Sequence, residues 1–218
     1  MKRILEHSSS RPSRPIARLI LCSLLVTTFS GCGLGGKPSY LVNQYILEYP
    51  SPMVEGIERS SEVLKVERFS VAREFDTHSV VYRDGPYQRG TDPYNRWRVN
   101  PGDMVTDYLL RDLRKSGLFK AVFSYNDSED ARHLLEGQVT EFLESKEKDR
   151  LRAVLGLNVT LLDLAKKEIP ERIVFQKSYQ YSEPLETSTY EGLAQAMSRG
   201  MEKFSRQLIT DLDQAIRK

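Results

Sequence analysis

Three kinds of side chain in this sequence could do chemistry: histidines, cysteine thiols and clustered carboxylates. His78 and His133 have no cysteine near them, so a zinc site of the usual ligand types is not expected, and each reads as a surface or turn histidine. Asp127, Glu129 and Asp130 form the densest acidic set, but they fall in a polar turn where solvent is the expected neighbour. No G-x-S-x-G, H-E-x-x-H, P-loop or EF-hand pattern occurs. Gly31-Cys-Gly33-Leu-Gly-Gly36 does spell the G-x-G-x-x-G of dinucleotide sites. That motif needs a strand before it and a helix after it; here an apolar leader precedes and Lys37-Pro38 follows, so a flexible tether is expected instead. No catalytic, cofactor-binding or metal-ligating residue is assigned.

One thiol has a different context. Lys2, Arg3, Arg11, Arg14 and Arg18 precede an uncharged, mostly apolar run from Leu19 to Phe29. Eleven residues span about 16 Å as a helix, too short to cross a bilayer comfortably and suited to the apolar region of a secretory signal. Phe29-Ser30-Gly31-Cys32 then resembles the bacterial lipobox, with Phe29 where leucine is usual. The pattern implies diacylglycerol on the Cys32 thiol, cleavage just before it and acylation of the new amino terminus. Several acyl chains hold stably where one holds marginally, because each buried methylene contributes about 0.8 kcal/mol. Gly33 follows the cysteine, and the sorting rule of enteric lipoproteins reads a residue other than aspartate there as passage to the outer membrane.

The leader also changes the arithmetic of the whole chain. The 218 residues carry 32 basic and 30 acidic side chains, but five of the basic and one of the acidic lie before Cys32, leaving 27 against 29. That balance gives no broad basic field for nucleic acid. Cys22 leaves with the leader and Cys32 takes lipid, so no disulfide framework is available. A charged fraction of 28% and a mean hydropathy of −0.47 exclude a polytopic membrane protein. Residues 1–31 are thus expected to be a signal peptide, 32–39 a lipidated tether and 40–218 one folded domain.

The domain reads as strands alternating with two helices. Tyr40–Tyr49, Leu64–Val71 with a bulge, Ser79–Arg83, Leu118–Tyr125, Leu135–Leu143, Ala153–Leu161 and Glu171–Tyr181 all have strand patterning. Leu135, Gly137, Val139, Glu141 and Leu143 are expected on one face, and Glu144–Arg150 in a solvated hairpin connection. Asn100 is a good N-cap, Pro101 suits the first helical position, and Gly117 suits the end of that helix. Ser188 and Glu191 have capping-box spacing ahead of a second helix, along which Leu193, Met197, Met201, Phe204, Leu208, Leu212 and Ile216 form an apolar stripe. Gly200 inside it suggests close packing on the sheet. The expected architecture is a single α+β domain with a largely antiparallel or mixed sheet and both helices on one face. Residues 84–96, rich in Gly, Pro, Asp and Tyr, read as a loop. Tyr82 and Trp97 are expected to anchor that segment to the core, and Tyr87 and Tyr94 are candidates for a partner surface.

The order of several segments carries a family resemblance. Tyr40-Leu-Val, Leu64-Lys-Val66, Phe69-Ser-Val71, Val80-Val-Tyr-Arg83, then Tyr94, Trp97 and Pro101 leading into a helix that ends Ser116-Gly-Leu-Phe119, and finally Leu134-Leu-Glu-Gly137-Gln-Val139, follow the lipobox. This order resembles the ABC-type transport auxiliary lipoproteins, the family of the paraquat-inducible protein C. Arg98-Val-Asn100 departs from the small or acidic residues common in the family between tryptophan and proline. The resemblance implies a noncatalytic lipoprotein facing the periplasm, held at the outer membrane with the inner membrane as the other option. Its implied partners are an MCE-domain protein with its ABC permease and ATPase, in systems that move phospholipids or other hydrophobic molecules, and a homo-oligomer is compatible with that role. Two other classes fit an anchored α+β domain: an adaptor for envelope assembly or peptidoglycan synthesis, and a lipid-anchored hydrolase.

Overall fold

Strand-forming and helix-forming patterns resolve into twelve elements. The computed structural model describes residues 41–147 and 150–217; the leader, the tether and Cys32 lie outside them. In chain order these are β1 (Asn43–Tyr45), β2 (Val63–Val66), β3 (Ser70–Val71), β4 (Ser79–Asp84), β5 (Arg89–Trp97), α1 (Pro101–Ser116), β6 (Ala121–Ser124), β7 (His133–Glu147), β8 (Arg150–Asp163), α2 (Ile169–Arg172), β9 (Ile173–Pro184) and α3 (Tyr190–Ile216). The nine strands make one open, mixed sheet, so the fold is α+β.

β7 is its hub. Its first residues pair in parallel with β2, its middle with β3 and its end with β4, while its whole length pairs antiparallel with β8. β8 pairs antiparallel with β9, and β1 and β6 extend the sheet beside β5 and β2. The expected strand over Leu64–Val71 is therefore two strands with separate positions along β7.

Both long helices cover one face. Leu135, Val139, Leu155, Leu157, Val159 and Leu161 point into it, and Phe204 of α3 meets Tyr179 edge-on with ring centroids 5.2 Å apart. Each such fully buried Leu or Phe contributes roughly 1.5–3 kcal/mol of transfer free energy. α1 begins as its sequence predicts: the Asn100 side chain accepts from the Gly102 amide at 2.9 Å, and Gly117 ends the helix at φ +70°. α3 is capped by Thr189, whose Oγ1 accepts from the Gly192 amide at 3.0 Å, and not by Ser188.

Three further expectations are corrected. A bulge between Val139 and Glu141 shifts the phase of β7, so Phe142, registered with Leu155, joins Leu135 and Val139 on the helix-covered face, while Glu141 and Leu143 turn to the other. Ladder pairing continues through Glu147 and Arg150, which leaves Ser145 fully buried where a solvated connection was expected. His133 is a buried β7 residue and not a surface or turn histidine; its ladder partner is Asp163.

Candidate functional site

The region read as a loop is a hairpin built around a large bulge. β4 and β5 pair as Ser79 with Arg96 and Val81 with Thr91, so Val80 alone stands opposite Asp92-Pro93-Tyr94-Asn95. Pro93 falls inside this excess, where its missing N–H disrupts no ladder bond. The amides that the ladder leaves unpaired are taken up by one carboxylate: Asp92 Oδ1 accepts from the Tyr94 and Asn95 amides at 2.7 and 2.8 Å. The Tyr190 hydroxyl donates to Asp92 Oδ2 at 2.6 Å and ties the bulge to the start of α3. Burial alone would push Asp92 up, but these hydrogen bonds outweigh it and hold the carboxyl below the usual carboxylate range. Burial, and then the Asp92 charge, push nearby Glu144 up.

The hairpin places the predicted residues separately. Tyr87 is at the tip, just past Gly85 with φ +80°, and is 97% exposed. Tyr94, on the outer side of the bulge, is 42% exposed. Six residues of hairpin separate the two, about 20 Å along a strand, so they do not form one patch. Tyr82 lies over Gly90, where a Cβ would collide with its ring, and Trp97 is buried edge-on against Phe142 with centroids 5.1 Å apart. Trp97 anchors the hairpin to the core as expected, whereas Tyr82 is 38% exposed and packs across the hairpin on Gly90 instead of into the core.

Buried polar groups elsewhere serve packing. The Tyr49 hydroxyl donates to fully buried Asp112 at 2.8 Å, and the Arg111 guanidinium, which also donates to Asp112, stands 4.4 and 4.6 Å from the Tyr49 and Tyr108 ring centroids. This cluster clamps the segment after β1 onto α1, and burial followed by the Asp112 charge drives the Tyr49 phenol far up. Tyr179 donates to Asp211 at 2.6 Å, with Lys177 at 2.9 Å from the same carboxylate. A cleft of about 280 Å³ beside it is lined by Val174, Phe175, Lys177, Asp211, Gln214 and Ala215, and no nucleophile is paired with a general base there. Asp127 accepts from the Ser124 amide at 2.6 Å and caps the turn in which Glu129 and Asp130 are exposed. Among the described residues, no three His, Cys, Asp or Glu side chains are grouped to hold a metal, and no helix is long and apolar enough to cross a membrane.

With this geometry in view, the sequence profile of the ABC-type transport auxiliary lipoprotein component family matches residues 45–209. The chain belongs to that family. As an ABC-type transport auxiliary lipoprotein it is a component of the cell envelope that serves a transport system from a lipid anchor. The fold is shared with protein XCC0632 from Xanthomonas campestris, at a TM-score of 0.72 and 19% identity over 81% of this chain and 97% of that one. It is also similar to the hypothetical protein CT253 from Chlamydia trachomatis, at a TM-score of 0.52 and 8% identity over 71% and 96% of the two chains. No curated protein sequence matches the chain.

Sequence reasoning missed Asp92, which sets the position of Tyr94. The signal was present as Asp92-Pro-Tyr-Asn95, a combination that forms side-chain-capped turns. Arg96, which the register of β1 on β5 sets beside exposed Gln44, was also missed, and Arg98 was noted only as a departure from the family pattern. Cys32 lies outside the described residues.

Proposed function

We propose that this transport auxiliary lipoprotein is a noncatalytic adaptor, anchored through acylated Cys32 at the periplasmic face of the outer membrane, where its domain docks an MCE-domain protein of an ABC-type system for phospholipids or other hydrophobic molecules. The observation that carries the reading is the family match across residues 45–209, joined to a leader that ends at a lipobox-like cysteine. Tyr87, fully exposed on a hairpin tip, supplies an aromatic contact of the kind protein interfaces favour.

The test is complementation and fractionation with Cys32→Ala in the full-length chain. The expected result is loss of the protein from the outer-membrane fraction together with loss of transport; full complementation by the unacylated form would overturn the anchoring. Capture of the MCE partner by the purified lipoprotein, compared with Tyr87→Ala, tests the docking role. A severalfold weaker capture is expected, and unchanged capture removes the hairpin tip from the interface.

A further inference from the structure

The row that opens the domain alternates from Tyr45 onward. Leu47 and Tyr49 are buried, while Val42, Gln44, Ile46 and Glu48 point outward. Tyr45 registers with Trp97 on the core side and Gln44 with Arg96 on the opposite side, to which alternation along the two segments also carries Val42, Ile46, Tyr94 and Arg98. Val42 is 39% exposed, Ile46 47% and Tyr94 42%. Arg96 and Arg98 are exposed as well, and neither guanidinium has a hydrogen-bond or ion-pair partner among the described residues. Two aliphatic side chains, a tyrosine and two uncommitted guanidinium groups thus share one small outer surface, with Glu48 at its far end.

The position of this surface in the chain says what it faces. Leu41, itself 83% exposed, stands nine residues after Cys32, a covalent reach of at most ~30 Å. An acylated Cys32 therefore keeps this edge of the sheet close to the bilayer at all times. Tyrosine and branched aliphatic side chains are favourable at the level of lipid headgroups, and an arginine near an anionic membrane surface adds about 1 kcal/mol. The guanidinium fork matches phosphate geometry, whereas exposed arginines facing water have no such return.

We propose that the outer face of β1 and β5, carrying Val42, Ile46, Tyr94, Arg96 and Arg98, is a bilayer-contacting surface that takes anionic phospholipid headgroups and fixes the orientation of the domain on its membrane. This rests on the reading of Cys32 as the lipid attachment site. The headgroup phosphates engage Arg96 and Arg98, and the apolar side chains enter the interfacial layer beside them.

The experiment uses the full lipidated protein reconstituted into vesicles of phosphatidylcholine, with or without phosphatidylglycerol. An environment-sensitive fluorophore is placed on Ile46→Cys or, as a reference on the polar outer face of the sheet, on Ser178→Cys. Shielding of the position-46 probe from an aqueous quencher, only in the phosphatidylglycerol vesicles, is expected, with the position-178 probe accessible in both. Arg96→Gln combined with Arg98→Gln is expected to lower the ratio of shielded to accessible probe about 30-fold, from two arginine contributions. A position-46 probe as accessible as that at 178 in protein that floats with the vesicles overturns the contact and leaves the anchor standing. Protein that does not float overturns the anchor and this inference with it. Shielding that appears only when the MCE partner is added assigns the surface to a protein and overturns the bilayer assignment.

Discussion

Gly137 and Gly200 both lie against the core, yet they respond oppositely to a methyl group. A Cβ at Gly137 would enter the ring of Phe69, so Gly137→Ala must displace a fully buried aromatic. A Cβ at Gly200 would meet Tyr181 Cβ at 3.7 Å and Leu155 Cβ at 3.8 Å, ordinary contact. Gly137→Ala is expected to destabilise by about 1–3 kcal/mol and Gly200→Ala to stabilise by up to about 1 kcal/mol, both read from urea denaturation midpoints. The close packing that Gly200 suggests in sequence is thus real contact with room for one carbon. His133 makes a second prediction at this scale. Burial holds its pKa below the ordinary value, Glu62 opposes this incompletely at 3.5 Å, and its Nδ1 has no hydrogen-bond partner. The unfolded chain takes up this proton below about pH 6.5 while the folded chain resists it, so the stability is complete above that pH and declines as pH falls toward the folded-state value. Wild-type protein is expected to lose denaturation midpoint between about pH 7.5 and about pH 5.5, and His133→Gln to show a flatter dependence over the same interval. Equal slopes for the two proteins would remove His133 as the cause.

Elements with intrinsic patterning were readable in the sequence, and β5 was not. α1 announced itself because capping and periodicity agree over Asn100–Gly117, and β8 because every second residue from Ala153 to Leu161 is apolar. β5 contains Gly90, Asp92, Pro93 and Asn95, all poor strand formers, and it exists as a strand because β1 and β4 flank it. Its bulge is held by the Asp92 carboxylate instead of by a ladder, a tertiary arrangement that no local pattern encodes. Asp92→Ala should therefore release the Tyr94 and Asn95 amides and the Tyr190 hydroxyl together. Faster hydrogen exchange confined to residues 92–97 and the first turn of α3 is expected, with protection of β7 and β8 unchanged. Loss of protection throughout the sheet would mean that the bulge supports the whole fold. The phase change in β7 was hidden for a related reason. A single extra residue near Thr140 leaves the period of two intact on each side, and only pairing with β8 shows that the two halves face opposite ways.

At the scale of the molecule, fold class and the family's domain were legible because composition, caps and segment order agreed, whereas the outer face of β1 and β5 was not, since exposure and register belong to the assembled sheet. The hub position of β7 has one more consequence, for the order of events during export. β2, β3 and β4 all register on a strand that begins at His133, more than 60 residues after β2 and β3 have passed. With Cys32 as the proposed lipid attachment site, it can be processed and acylated while β2, β3 and β4 still lack the strand that joins them. Chains arrested with residues 1–130 outside are expected to be digested by protease within the domain, and chains arrested with all of α3 outside to resist it. With Cys32 acylated as proposed, anchoring would then precede folding, and each molecule would acquire its structure already tethered to a bilayer.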